Sequence, residues 1–260
     1  MKSATDPTDP ATGIFAAAEW YDRSINWQAR FARELPVLTD VFGPPGKRGL
    51  IDAGCGTGRH ACALATRGYR VAATDMSEEM LRVAEQRAAE EGVAIQCAHT
   101  PYASLHDTVG GDFDGLFCLG NALAAAGDRA SVADAIGQFA KCLRAGGRML
   151  VQILNFAPMR AEQPCVRGPR VALVDGREYV SVRVFDFAGD AVIITNVTIW
   201  HDDGWKKHAR RGRLYPISLD EMRRFCESAG LRVDHVWGSY GREDFDEGRS
   251  TDVIVVATKI

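Results

Sequence analysis

The sequence predicts an α/β protein: a mostly parallel seven-stranded sheet with an antiparallel last strand, a helix ahead of it, and an antiparallel β insert after the fifth strand. Three observations carry this expectation. From Gly49 to residue 155, short apolar runs of strand character alternate with helical stretches. Over residues 170–213 the helices stop, and strands follow one another through "DG" and "GD" turns. The last two strand-like runs, "LRVDHVWG" and "TDVIVVATKI", are joined without a helix, which favours antiparallel pairing.

Taken in order, residues 1–13, "MKSATDPTDPATG", read as a disordered leader. Residues 14–46 form a helical region in which Trp20, Trp27, Phe31 and Leu35 fall near helical spacing, and "FGPPGKRG" ends it. The core over 47–155 runs "GLIDA" strand, "GRHACALATRG" helix, "RVAATD" strand, "SEEMLRVAEQRAAEEG" helix, "VAIQCA" strand and "FDGLFCLG" strand. "RASVADAIGQFAKCLRAGG" is then a helix ending in a double glycine, and "RMLVQILNF" is the fifth strand. Ser77 starts the second of these helices, with Glu78 and Glu79 in its first turn, and Gly92 closes it. Residues 156–215 form the insert, and 216–260 return to the core through the helix "SLDEMRRFCESAG" and the last two strands. Such alternation implies right-handed crossovers, with ligands bound beyond the strands' carboxyl ends where strand order reverses.

Composition narrows the function. The chain has 260 residues, 46% hydrophobic and 25% charged, which predicts a soluble globular protein. A formal net charge of −3 argues against a duplex-binding surface. Seven cysteines without a C-x-x-C pair fit free thiols in a reducing cytoplasm, and no apolar run reaches membrane-spanning length. A cytoplasmic location is therefore expected, with neither a membrane nor a nucleic-acid partner. The sequence leaves room for a homo-oligomer. His208 has no metal-ligand partner at useful spacing, and no metal is expected.

The chemistry-bearing stretch is "GLIDAGCGTGRHACALATRGYRVAATD", a strand, a glycine turn, a helix and a strand. Gly54, Gly56 and Gly58 let the backbone turn sharply and approach a ligand. Gly56-x-Gly58-x-x-Ala61, with Asp75 nineteen residues after Gly56, satisfies a dinucleotide fingerprint, so an NAD-dependent dehydrogenase passes this first test. Asp52 separates the two readings. A carboxylate just ahead of the glycines would repel a pyrophosphate, whereas it suits S-adenosylmethionine, which carries a sulfonium and an ammonium.

"LIDAGCGTGRH" resembles motif I of the class I S-adenosylmethionine-dependent methyltransferases, Rossmann-like enzymes with a ribose-binding acid at the end of the next strand. Asp52, Gly54, Gly56 and Gly58 match the first pattern and Asp75 the second; Met76 and Leu119 stand beside the strand ends. "WYDRSINWQARFARELP", "CLGNALA", "QILNF" and "RLYPIS" resemble the glycine/sarcosine N-methyltransferase-like branch, whose N-terminal lid helix and antiparallel insert cap the substrate. That resemblance implies cofactor contacts from Tyr21, Trp27 and Arg30, and catalytic roles for Tyr21, Asn121 and Tyr215. Asn121, Asn155, Arg213 and Tyr215 are the residues it implies at the substrate. His99, after the third strand, reads equally as a loop histidine, an adenine-side contact or a base.

Three departures from the branch matter. Leu154 stands where the glycine methylators carry a carboxylate-clamping arginine. Ala122 and Ala125 replace a hydroxyl and an imidazole, and "AHTP" replaces the acid or amide after the third strand. Glycine is thus not the expected acceptor. The function expected is methylation of a small molecule, at nitrogen first and oxygen next, by in-line transfer governed by proximity, with S-adenosyl-L-homocysteine as product. A catalytically silent cofactor-binding scaffold is the alternative outside catalysis. A nucleic-acid methyltransferase would prefer an N-P-P-Y-type motif where "LGNA" stands. The basic run "WKKHARRGR" reads as a solvated strand face or as a steering patch for an acidic substrate.

Overall fold

The computed structural model describes residues 22, 25–47, 49–162, 165–174, 176–201 and 203–260. Trp20 and Tyr21 lie outside them. In chain order the first elements are α1 (Trp27–Phe42), β1 (Leu50–Ala53), α2 (Arg59–Ala65), β2 (Val71–Asp75), α3 (Glu78–Glu91), β3 (Gln96–His99), α4 (Leu105–Val109), β4 (Phe113–Cys118), α5 (Arg129–Cys142) and β5 (Leu143–Leu154). They are followed by α6 (Phe156–Ala161), β6 (Cys165–Val174), β7 (Arg177–Ala188), β8 (Ala191–His201), β9 (Trp205–Leu214), α7 (Leu219–Ser228), β10 (Leu231–Trp237) and β11 (Asp252–Lys259).

Seven strands form one sheet in the order β10-β11-β5-β4-β1-β2-β3. β11 runs antiparallel to both β5 and β10, while β1, β2, β3, β4 and β5 are parallel to their mutual neighbours. The sheet is therefore mostly parallel with an antiparallel last strand, as the sequence predicts. Strand order reverses between β4 and β1.

Period-two alternation sorts the strand residues onto two apolar layers. Leu116 and Cys118 of β4, Met149, Val151 and Ile153 of β5, and Val253 and Val255 of β11 pack with α5 and α7 through Ile136, Phe139, Met222 and Phe225. Phe117, Leu150, Ile254 and Val256 face the other way, onto Leu35, Leu38 and Val41 of α1 and Leu64 of α2. Asp52 alternates with Ile51 and Ala53, so it shares the α1 side with Leu50.

Helix ends follow local chemistry. Asn26 caps α1, its side chain accepting from Ala29 N at 3.0 Å. Ser77 caps α3, accepting from Met80 N at 3.3 Å, and Gly92 closes α3 in the left-handed conformation. The ends of α5 and of the fifth strand are among the boundaries that differ from the sequence expectation. Helix α5 stops at Cys142 and does not reach the double glycine, because Leu143 is already extended and pairs with Phe113. The β4–β5 register then shifts before resuming at Gly115 and Arg148. A Cβ on Gly147 would lie 2.9 Å from Arg144 O and 3.0 Å from Phe113 O, so glycine belongs to this irregularity. The fifth strand ends at Leu154, since Asn155 leaves it to cap α6.

The insert is a four-stranded antiparallel meander, β6-β7-β8-β9. Its Cys165, Phe185, Val192, Ile194 and Leu214 join the larger apolar cluster, which fixes the meander beside the carboxyl end of the main sheet. Among the described residues, no helix is long and apolar enough to cross a membrane.

Candidate functional site

The site begins at the end of β1, next to the reversal of strand order, where such sheets place ligands. The chain leaves β1 through Gly54, Gly56 and Gly58, with φ of 76°, 55° and 71°. A Cβ on Gly54 would lie 2.4 Å from the Tyr102 hydroxyl, so a side chain there would close the space between the first and third strand ends. The resulting cleft has a volume of 310 Å3. Asp52, Gly54, Gly56 and Asp75 form its floor, Met76, Tyr102 and Leu119 its walls, and Trp27 and Arg30 of α1 its outer edge.

Two carboxylates dominate its electrostatics. Asp52 is 3% exposed, and its Oδ2 is buried with no hydrogen-bond partner among the described residues. Burial, and next the negative charge of Asp75, push its carboxyl pKa up to about 8, against the opposing influence of Arg30 and the Ala61 amide. Asp75 is better provided: Oδ2 accepts from Gly56 N at 2.8 Å and Oδ1 from Ser77 N at 2.9 Å. Burial still raises its pKa, with those two amides opposing. A buried acid without a partner is costly. The cleft floor is thus prepared for positive charge, and a diphosphate there would meet two acids.

The α1 side is held by ion pairs from distant parts of the chain. Asp22 Oδ1 accepts from Thr57 Oγ1 at 2.7 Å and Arg59 Nε at 2.8 Å, while its Oδ2 accepts from Arg87 Nη2 at 2.8 Å and also meets Arg59 Nη2. The carbonyl of Asp22 accepts from the Trp27 indole at 2.8 Å. Burial works against the charge on Asp22, but the hydrogen bonds from Arg59 and Thr57 and the charge of Arg87 outweigh it, so its pKa is lowered. Further along α1, Glu34 accepts from Arg30 Nε at 2.8 Å and from His60 Nε2 at 2.6 Å. Glu34 stays ionised and His60, deeply buried, stays neutral.

A second cavity of 740 Å3 adjoins the first, and both are lined by Arg30 and Gly120. Its core wall carries Glu34, Asn121, Gln152, Tyr240 and Asp252. Its other wall is the insert, where register sets Arg183 opposite Asn196 and Phe185 opposite Ile194. Gln152 links the two spaces: its Oε1 accepts from Gly120 N at 2.7 Å and its Nε2 donates to Asp252 Oδ1 at 2.6 Å.

Comparison with known proteins agrees with this geometry. The family profile described as "Methyltransferase domain" matches residues 50–147, the stretch that contains Asp52, the glycine turn and Asp75. The chain belongs to the class I S-adenosylmethionine-dependent methyltransferases. The methyltransferase is 27% identical over 249 residues to a glycine/sarcosine N-methyltransferase of Aphanothece halophytica, covering 93% of this chain and 87% of that protein. It is 34% identical over 145 residues to a ubiquinone biosynthesis O-methyltransferase of Pseudomonas aeruginosa, covering 55% and 60%. The CcbJ methyltransferase of Streptomyces caelestis has the same fold, with a TM-score of 0.78 at 22% identity, covering 98% of this chain and 99% of that one.

The methyltransferase brings Trp27, Arg30, Asp52, Gly54, Gly56, Asp75, Met76 and Leu119 together around the first cleft. Tyr21 falls outside the described residues. Gly58 serves packing, since a Cβ there would lie 2.6 Å from Ala84 Cβ of α3. His99 is turned outward onto Met76 O at 2.9 Å. Asn121, with φ 66°, lines the second cavity and accepts from Leu154 N at 2.9 Å. The remaining substrate-side residues stand elsewhere. Asn155 is occupied by Glu247 O and Ser250 O, at 2.8 and 2.9 Å, and by the Ala157 amide. Tyr215 donates to Glu221 at 2.6 Å, and Arg213 pairs with Asp190 at 3.1 Å; neither lines either cavity. In their place the second cavity presents Gln152, Tyr240 and Asp252, which sequence reasoning passed over. Two had a visible signal: a glutamine inside the apolar run "RMLVQIL", and an aspartate opening "DVIVVA".

Proposed function

We propose that this enzyme methylates the nitrogen of a small-molecule amine held in the 740 Å3 cavity. The observation that carries the reading is the contact between the two spaces at Arg30 and Gly120, with the acids Glu34 and Asp252 on the acceptor side. The Asp252 carboxylate favours an amine over a neutral hydroxyl, and Arg33, Arg170 and Arg183 on the same lining favour an amine that also carries an acidic group.

Bound S-adenosylmethionine supplies a methyl group on a positively charged sulfur. The Asp52 carboxylate, whose Oδ2 has no partner among the described residues, meets positive charge, and Asp75 offers its remaining lone pairs to the ribose hydroxyls. Trp27 and Arg30 cover the cleft from α1, and Tyr21 is assigned to the same cover by resemblance. Met76 and Leu119 offer apolar surface in the same cleft that would suit the adenine of the cofactor. Asn121 and Gln152 hold the loop after β4, and so the wall between the two spaces, in one position. Rate acceleration then comes from alignment and exclusion of water, for which roughly 7–11 kcal/mol is available from proximity alone.

A second reading, oxygen methylation, is favoured by the likeness to the ubiquinone biosynthesis O-methyltransferase. Incubation with methyl-labelled S-adenosylmethionine and a metabolite extract, followed by mass spectrometry, separates them. A labelled N-methyl product supports the proposal, a labelled methyl ether replaces it with the second reading, and cofactor binding without any labelled product supports the silent scaffold.

A further inference from the structure

The two walls of the second cavity differ in charge. The core wall holds the acids Glu34 and Asp252, and α1 supplies each with a positive neighbour. Arg30 donates to Glu34 at 2.8 Å, and the charge of Arg33 acts on Asp252. The insert wall contributes Arg170 and Arg183 and, among the described residues, no acid.

Strand register brings both arginines to the cavity. Arg183 lies two residues from Phe185 and opposite Asn196, which lies two residues from Ile194, so the four share one face of the meander. Arg167 of β6 stands opposite Arg183, and an unbroken ladder from there would set Pro169 opposite Ser181. The register shifts between Arg167 and Arg170, and Arg170 takes that place instead. Because Ser181 is two residues from Arg183, the bulge turns Arg170 onto the cavity face. Arg167 does not line the cavity and pairs with Glu162 at 2.8 Å.

We propose that the acceptor carries an oxyanion (a carboxylate, sulfate or phosphate) remote from the atom that is methylated, and that Arg170 and Arg183 seat it, with the Asn196 amide as a further donor. The proposal rests on reading this cavity as the acceptor's. A planar guanidinium presents paired N–H donors that match two oxygens of such a group. Transfer belongs near Arg30 and Gly120, where the two spaces meet, whereas the seat belongs to the insert wall. An acceptor that reaches both spans a cavity of 740 Å3, room for a molecule far larger than glycine. In the glycine methylators the carboxylate-clamping arginine stands at the end of the fifth strand. Here Leu154 holds that position and lines the cavity without charge. The anchor thus moves from the main sheet to the insert, and the acid moves away from the accepting atom.

The test divides a metabolite extract on an anion exchanger at about pH 11, where amines are largely neutral and oxyanions are retained. Each fraction is then incubated at pH 7 with methyl-labelled S-adenosylmethionine. The wild type should label a compound of the retained fraction, and label confined to the flow-through overturns the seat. Phosphatase treatment of the retained fraction separates the sources: it abolishes labelling of a phosphate ester and spares a carboxylate or a sulfate. Arg170→Gln and Arg183→Gln should each raise KM for the retained acceptor at least tenfold, with kcat and S-adenosylhomocysteine affinity within twofold of wild type, because an anchor far from the reacting atoms binds ground and transition states alike. Arg183→Lys, which keeps the charge without the fork, should fall between. Arg211 pairs with Thr195 on the opposite face of the meander, so Arg211→Gln removes the same charge and should leave KM unchanged. An equal rise in all three glutamine variants would mean long-range steering without a seat, and an unchanged KM in both seat variants would equally overturn the proposal. Absence of label in either fraction counts against the methyl-transfer reading alone. The seat is then decided by calorimetry on protein saturated with S-adenosylhomocysteine: ε-aminocaproate should bind at least tenfold more tightly than n-hexylamine, and equal affinities overturn it.

Discussion

Asp52 destabilises the free protein and prepares it for a cation, and the two effects can be measured apart. Its carboxyl titrates near 8 in the fold and near 4 in an unfolded chain, so between those values the folded state holds a proton that the unfolded state has released. Stability must then fall as pH rises through that window. Asp52→Asn removes the titration: the variant should be more stable than wild type at pH 8, and its decline from pH 5 to 8 shallower by up to about 1.4 kcal/mol per pH unit. Its affinity for S-adenosylmethionine should drop at least tenfold. Denaturant titrations at pH 5, 6.5 and 8, with calorimetry for the cofactor, check both; a variant less stable than wild type at pH 8 would contradict the assignment. Asp75 differs because it also holds the backbone. Asp75→Asn places an amide group against one of two N–H donors, Gly56 or Ser77, and should weaken cofactor binding by about a hundredfold, the scale of a lost charged hydrogen bond. Equilibrium dialysis with labelled cofactor would show it. Both acids were singled out in the sequence, and the structure brings them to one cleft, because they lie within one strand–turn–helix–strand unit. Tyr240, Gln152 and Asp252 were not assigned, because they meet only through the β5–β11 pairing and a turn, and no sequence spacing encodes that.

Among the elements, α1 depends on what lies just before it. Its apolar stripe, Leu35, Leu38 and Val41, packs onto the sheet; of these, helical periodicity in the sequence singled out Leu35, together with Trp27 and Phe31. The Asp22 clasp was not visible, since Thr57, Arg59 and Arg87 come from a turn, from α2 and from α3. Removing one partner of a buried ionic group leaves the others uncompensated, at a cost of about 3 kcal/mol. Asp22→Ala should therefore lower unfolding stability by about that amount. It should also weaken cofactor binding, because Trp27 at the cleft edge is tied to the same residue. The low pKa of Asp22 gives the sign with pH: its contribution is present above about pH 4, the ordinary carboxylate value, and disappears as pH falls through the lower folded value. Urea titrations of wild type and variant at pH 7 and pH 3 would show the difference between them narrowing in acid, and a constant gap would refute the ionic account. The end of α5 makes the complementary point about legibility. "RAGG" has the residues of a helix stop, yet pairing with Phe113 draws Leu143 into β5 first. Tertiary pairing thus overrides a local signal.

At the scale of the molecule, the alternation of elements made the main sheet readable, and the run of turns made the insert readable. How the insert sits against the sheet was not, because that depends on which apolar residues of β7 and β8 face inward. The site lies where β1, β2, β4 and α1 converge, so a ligand in the first cleft contacts parts of the chain far apart in sequence. Binding there must stabilise the whole fold. A ligand at a hundred times its dissociation constant contributes about 2.7 kcal/mol, which for a chain of this size raises the melting temperature by roughly 5–10 °C. S-adenosylmethionine and S-adenosylhomocysteine should both produce such a rise. NADH at the same concentration should produce none, because its diphosphate would have to approach Asp52 and Asp75, the two acids of the cleft floor. Asp52→Asn sharpens the comparison. Loss of that carboxylate should shrink the rise with S-adenosylmethionine more than the rise with S-adenosylhomocysteine, whose sulfur is uncharged. An equal loss for both would mean that Asp52 serves the shared ammonium end of the ligand, and an NADH-induced rise in the wild type would overturn the charge argument for the cleft.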